Sequence, residues 1–416
     1  MIDLLITQAK QVLTLRASEG NKVTEELGII EDGAIAIKGE EIVAVGKTDE
    51  VRDKVEIDSE KTQIIEASGK VVMPGFIDCH THLVYAGSRE YEFEMRLKGV
   101  SYEEIAAKGG GIKATVRATR EASKEELSNL AKSRLERMLL WGTTTVEGKS
   151  GYGLSLDSEI KLLETIASLN KNQPVELVPT FLGGHEVPDE FQNNRKAYIR
   201  LLTEKMIPVV AEKELAEFCD VFCEQGVFTV EESEEILKAG ENAGLKAKIH
   251  ADELTPSGGA ELAGRMHAVS ADHLIYPSES GLQLMRDNGT VAVLLPGTSM
   301  TLRKPYAPAR KMIEMGLTVA IATDHNPGTC TLEAMPIVIG LACLKLEMTP
   351  AEAIRAATIN AACALDRQDK IGSLEPQKQA DITILNIPHY RYLPYHFGVN
   401  YVDTVIKKGK VVISRS

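Results

Sequence analysis

The chain has 416 residues, 44% of them hydrophobic and 26% charged, with a net charge of −13 at pH 7. That length accommodates one large domain and a smaller one, and the acidic balance excludes a general nucleic-acid or anionic-membrane surface, so an anionic ligand needs a specific basic residue. No apolar run approaches the ~18 residues of a membrane helix, no secretory leader is recognisable at the N-terminus, and six scattered cysteines form no disulfide framework. A reduced, cytoplasmic protein is expected.

Residues 1–70 hold short β-prone runs at 3–7 and 11–15, and runs at 34–37 and 42–45 flank Lys38-Gly39-Glu40-Glu41, a hairpin signature. Val71-Val72-Met73, interrupted by Pro74-Gly75 and resumed by Phe76-Ile77, predicts a buried strand ending near Asp78-Cys79-His80-Thr81-His82. Amphipathic helical stretches then alternate with apolar strands. A helix at 124–140 precedes a strand at 143–146, and 158–169 precedes 175–181. Helices at 195–204 and 212–217 lead to a strand at 218–222, 231–243 to 247–250, and 259–265 to 268–274. The pairs 278–286 with 290–295 and 310–315 with 318–323 complete the series. With the strand that ends at His80, eight units span residues 71–365, an α/β class and a (β/α)8 TIM-like barrel. A doubly wound sheet is the weaker alternative. Residues 366–416 return to short strands, at 381–385 and at 402–406, the latter pairing with 411–413 across Lys407-Lys408-Gly409-Lys410. Both chain ends are thus expected to form one composite small β-sandwich domain, from residues 1–70 and 366–416.

Chemistry in such a barrel sits where the strands finish, and these ends carry metal-capable and acid–base groups. His80 and His82 share a strand face, so both imidazoles enter one cavity as half of a divalent-metal site. Two polar loop residues sharing a turn would give the same short pattern. Glu147, Lys149 and Gly151-Tyr152-Gly153 follow the second strand, and Gly183-Gly184-His185-Glu186 the third. His250-Ala251-Asp252-Glu253 ends the fifth, Asp272-His273 the sixth, and Thr323-Asp324-His325-Asn326-Pro327-Gly328-Thr329 the eighth. Of nine histidines, His80, His82, His185, His250 and His273 fall at strand ends, and that convergence favours ligation over unrelated structural roles. His267, His389 and His396 lie off the pattern.

The sequence Pro-Gly-Phe-Ile-Asp before His80-Thr81-His82, the later strand-end histidine and Thr323-Asp324 resemble the metal-dependent amidohydrolase superfamily. The tail Ile371-Gly372-Ser373-Leu374-Glu375-Pro376, then Ala380-Asp381-Ile382, is similar to the segment that leads this superfamily back into its small β-domain. Within it, five blocks resemble the imidazolonepropionase family along essentially the full length. They are Tyr85-Ala86-Gly87-Ser88-Arg89-Glu90, Gly109-Gly110-Gly111-Ile112, Lys149-Ser150-Gly151-Tyr152-Gly153, Phe181-Leu182-Gly183-Gly184-His185 and Asp324-His325-Asn326-Pro327-Gly328.

The resemblance implies one divalent metal ion per subunit, Zn²⁺ or Fe²⁺/Fe³⁺, held by His80, His82, His250 and Asp324. Lys149 is then read as an ion-pair residue, with Glu147 as partner, and not as a carboxylated bridge between two metals. Glu253 is the expected general base, His273 orients water or polarises the carbonyl, and Asp324 shares the proton work. The implied substrate is 4-imidazolone-5-propanoate, opened hydrolytically to N-formimidoyl-L-glutamate. Arg89 meets the propionate as a bidentate fork, Tyr152, His185 and Glu253 contact the ring, and Asn326, Gly328 and Thr329 contact a carboxylate. Relatives imply a homodimer. One alternative is a guanine-type deaminase of the same superfamily, distinguished by ammonia release without ring opening. The other is a non-catalytic scaffold of the same fold, which would lack bound metal.

Overall fold

In the computed structural model, which describes residues 1–16, 27–100, 104–105 and 109–415, the chain forms two eight-stranded sheets. The first five strands are β1 (Leu4–Leu13), β2 (Ile29–Lys38), β3 (Glu41–Lys47), β4 (Gln63–Glu66) and β5 (Val71–Pro74). The two runs expected at 3–7 and 11–15 are one strand, continuous across a bulge between Ile6 and Ala9 where Gln8 has φ 57°. Alternation sorts its side chains. Leu4, Ile6 and Val12 join one core with Ile35 and Ile37, whereas Leu5 joins Ala34, Ala36 and Val51 in another, under the helix Thr48–Lys54.

The barrel strands are β6 (Phe76–Asp78), β7 (Thr143–Lys149), β8 (Glu176–Gly184), β9 (Phe218–Cys223), β10 (Lys246–Ala251), β11 (Ser270–His273), β12 (Val291–Leu294) and β13 (Val319–Ile321). Each pairs with the next in parallel, with helices between. Several helices start where a side chain caps them. Ser123 accepts from Glu126 N, Thr229 from Glu232 N and Ser278 from Gly281 N. The separate helix expected at 212–217 is absent. Instead Arg195–Leu201 runs through a wide turn, Leu202–Met206, into Ile207–Glu212. Pro208 lacks an N–H to donate into that turn, which is consistent with the widening.

The last strands, β14 (Ile382–Leu385), β15 (Val402–Lys407) and β16 (Lys410–Ser414), return to the first sheet. Its order is β16-β15-β14-β5-β1-β2-β3, with β4 beside the first half of β1. By hydrogen bonding the small domain is therefore one continuous mixed sheet, whose inner face buries Ile382, Ile384 and Ile406 against Leu4, Ile6 and Val72. The run 71–78 divides between the two sheets. β5 lies between β1 and β14, and β6 opens the barrel, with Gly75 alone between them. Any Cβ at Gly75 would collide with the Thr144 side chain, which fixes glycine there.

The ladder from β6 to β13 closes without regular strand pairing. Asp78 accepts from Thr323 N at 3.0 Å and from Thr323 Oγ1 at 2.6 Å. Just beyond, Asp324 N donates to His80 O at 3.1 Å and His82 N to His325 O at 2.9 Å. Inside, Glu147, Lys149, Asp220, Lys248 and Asp272 are fully buried where such barrels usually stack aliphatic side chains. Among the described residues no helix is long and apolar enough to cross a membrane. Asp78→Ala should cost about 2–3 kcal/mol by leaving Thr323 unpaired in the seam, read as a lower denaturant midpoint. Asp78→Asn, which keeps an acceptor, should cost less; two wild-type midpoints would remove Asp78 from barrel closure.

Candidate metal centre

Four side chains converge where β6, β10 and β13 end. His80 Nε2 and His82 Nε2 lie 3.5 and 3.6 Å from Asp324 Oδ1, and His250 Nε2 lies 3.5 Å from His82 Nε2. Ligands bound at about 2.0–2.1 Å in a tetrahedron sit roughly 3.4 Å apart, so these separations suit one small divalent ion. His80 Nε2 is buried without a hydrogen-bond partner, an orphan that a metal would satisfy. Burial holds His80, His82 and His250 far below the usual imidazole range, and the nearby Lys149 ammonium adds to this. Neutral imidazole is the ligating form. Asp324 is pushed up to about 7 by burial, with Thr298 and Asn326 opposing. Its Oδ2 accepts from Thr298 Oγ1 at 2.5 Å.

Below these four side chains, carboxylates fix two imidazole tautomers. His80 Nδ1 donates to Asp272 Oδ2 at 2.6 Å and His250 Nδ1 to Asp220 at 3.0 Å, so each Nε2 keeps its lone pair for the centre. Lys149 Nζ lies 2.7 Å from Asp220, 3.0 Å from Glu147 and 3.4 Å from Asp272. Burial works against that ammonium, but the three carboxylates outweigh it and raise its pKa.

Glu253 lies 3.6 Å from His273 Nε2. Burial, reinforced by Asp324 and Glu224, pushes its carboxyl up to about 8, where it can both accept and release a proton. His273 is lowered to about 4 by burial and groups with His80 and His250. The loop carrying Glu253 is pinned on both sides. Asp252, at φ 51°, accepts from the backbone N–H groups of Ser257, Gly258, Gly259 and Ala260. Glu224 accepts from Leu254 N at 2.8 Å.

Around the centre, His185 stacks on His82 with ring centroids 5.0 Å apart, and Tyr152 lies 5.8 Å from His82 and 5.3 Å from His185. The Tyr152 loop is shaped by buried Glu159, which accepts from Gly151, Gly153 and Leu154 N–H groups. Arg89 is nearly buried, with Nε and Nη2 held by Glu92 at 2.9 and 2.7 Å. Its guanidinium rests on Gly328, where a Cβ would collide with Nη1. Asn326 is engaged within its own loop. Its Oδ1 accepts from Gly328 N and Thr329 N, and its Nδ2 donates to Asp324 O and Thr329 Oγ1. These groups build the loop on which Arg89 lies and are spent on one another.

Sequence reasoning missed Thr298, Asp220, Glu92, Glu159 and Glu224. Asp220 had a signal, a carboxylate inside an apolar strand, and Glu92 had helical i,i+3 spacing from Arg89. The others had none.

Residues 71–412 match the model of the amidohydrolase family. A protein of Alkaliphilus oremlandii named imidazolonepropionase is 51% identical over all of this chain and 99% of its own length. One of Geobacillus kaustophilus with the same name is also 51% identical, with the same coverage. Among solved structures, a zinc-bound adenosine deaminase from Xanthomonas campestris has a TM-score of 0.73 at 18% identity, over 100% of this chain and 93% of that one. An atrazine chlorohydrolase from Arthrobacter aurescens, complexed with zinc and atraton, has a TM-score of 0.72, covering 99% and 95%. At 18% identity both likenesses speak to the fold.

Dialysis against a chelator and then against Zn²⁺ should load one ion per chain, counted by elemental analysis. His80→Ala and Asp324→Ala should each lower that occupancy. Full loading of either variant would remove that residue from the centre.

Proposed function

Because this chain belongs to the amidohydrolase family and, within it, to the imidazolonepropionases, we propose that it hydrolyses the ring C–N amide bond of 4-imidazolone-5-propanoate to N-formimidoyl-L-glutamate, in histidine degradation. The observation that carries this is 51% identity over the whole chain to relatives of that name. The site chemistry agrees with it. His80, His82, His250 and Asp324 hold one divalent ion, and three imidazoles with one carboxylate suit zinc or iron. When bound, that ion supplies Lewis acidity, acidifying water and polarising a carbonyl.

Glu253 takes a proton from the attacking water and passes it to the leaving ring nitrogen, as the new C–O bond forms and the ring C–N bond breaks. Its raised pKa suits both halves of that transfer. His273, neutral and beside it, hydrogen-bonds the carbonyl oxygen, and Asp324 shares the proton. Arg89 pairs with the propionate. Glu92 already holds two of its donors, so the guanidinium is oriented before substrate arrives. Tyr152 and His185 line the ring's side of the pocket. Asn326, Gly328 and Thr329 act by presenting Arg89. All six cysteines are free thiols, which supports a cytoplasmic setting; a homodimer completes the reading.

Loss of the substrate's ultraviolet absorbance, with formimidoylglutamate as product and sensitivity to chelator, tests the activity; ammonia release with the ring intact would instead reveal a deaminase. Arg89→Ala should cost about 2–4 kcal/mol in kcat/KM through lost charge-assisted binding, with metal content unchanged. A wild-type KM there would take Arg89 out of the pocket. Glu253→Gln should retain its metal and lose most turnover, so full activity would sink the proton-transfer assignment.

A further inference from the structure

Lys149 joins the two carboxylates that orient two metal ligands. Its ammonium lies 2.7 Å from Asp220 Oδ2 and 3.4 Å from Asp272 Oδ2, and those carboxylates accept from His250 Nδ1 and His80 Nδ1. All five side chains are at most 3% exposed, so no water competes for these bonds. A second buried lysine, Lys248, contacts Glu147 Oε2 at 2.8 Å and two backbone carbonyls, and hydrogen-bonds neither histidine-bound carboxylate.

We propose that Lys149 is a positioning residue that, through Asp220 and Asp272, holds His250 and His80 as Nε2 donors and thereby sets the affinity of the centre for its metal. Two carboxylates side by side repel, and each would turn away from the other without a cation between them. Lys149 supplies that cation at a fixed point, so both acceptors stay aimed at the imidazole N–H groups. Lys248 pairs with Glu147 and reaches Asp220 and Asp272 only through its field, with no bond that fixes where either carboxylate points. The two lysines therefore divide the work of one charged layer: one serves the ligands, the other the barrel wall.

The inference rests on the ligand set proposed above, and a wild-type chain that takes up no ion would fail that reading. The test compares Lys149→Met with Lys248→Met in the full chain. Zn²⁺ affinity is read by competition with a chromophoric chelator, the Co²⁺-loaded absorption spectrum reports ligand geometry, and thermal unfolding of the metal-free proteins reports the fold. Lys149→Met should bind Zn²⁺ about 10- to 100-fold more weakly with an altered cobalt spectrum. Lys248→Met should lose thermal stability but stay within about threefold of wild-type affinity with an unchanged spectrum. Equal affinities in the two variants, or an unchanged spectrum in Lys149→Met, would overturn the proposal. If Lys149→Met does not fold, Asp220→Asn cuts the same relay while leaving Lys149 paired with Glu147 and Asp272. A tenfold loss is expected there, and wild-type affinity would overturn the proposal equally.

Discussion

The seam between β6 and β13 is the constraint on which the site depends. Two of the proposed ligands follow the first barrel strand and one follows the last, and no regular ladder joins those strands. A buried carboxyl, Asp78, takes both polar groups of Thr323, and main-chain bonds between His80 and Asp324 and between His82 and His325 continue the closure. The same bonds that shut the barrel thus set the spacing of His80, His82 and Asp324. Positive φ values at Asp324 (53°) and His273 (75°) mark strand ends bent to aim side chains inward, a local strain the closed barrel sustains.

Beneath the seam, the barrel gives up apolar stacking for five ionisable groups. Burying them costs more than aliphatic packing would, because desolvation offsets much of their mutual attraction. What the arrangement provides is direction: carboxylates that accept from imidazole N–H groups and cations that keep those carboxylates in place. The upper loops follow a similar logic. Asp252 and Glu224 spend carboxylates on N–H groups of the loop that carries Glu253, Glu159 on the loop that carries Tyr152, and Glu92 holds the Arg89 guanidinium while accepting from Gly111 N.

The barrel was legible because its strands are apolar runs ending in polar residues, and the helix Gly259–Arg265 coincides with its expected bounds. Residues His80, His82, His250 and Asp324 stood out because each sits at such an end. What escaped were partnerships across strands, such as Asp272 with His80 or Lys149 with Asp220. These depend on barrel stagger, which no single strand encodes. The small β domain from both chain ends was legible as well, but the way its strands join was not. Alternating runs predict strands, but whether they form two sheets or one is decided by β1, which pairs with β2, β4 and β5. The bonds that tie Asn326 to Gly328, Thr329 and Asp324 within one loop are likewise invisible in sequence.

The single residue between β5 and β6 ties the strand that leads to His80 and His82 to the last part of the chain. β5 is flanked by β1, made early, and by β14, made about three hundred residues later in synthesis. During translation, β5, one residue ahead of the strand that ends at His80, is therefore paired on one side only until β14 has left the ribosome. β13, with Asp324 just beyond it, is the last barrel strand to be made and precedes β14. His80, His82, His250 and Asp324 can therefore come together only once all eight barrel strands have been made, and the sheet that steadies β5 closes later still.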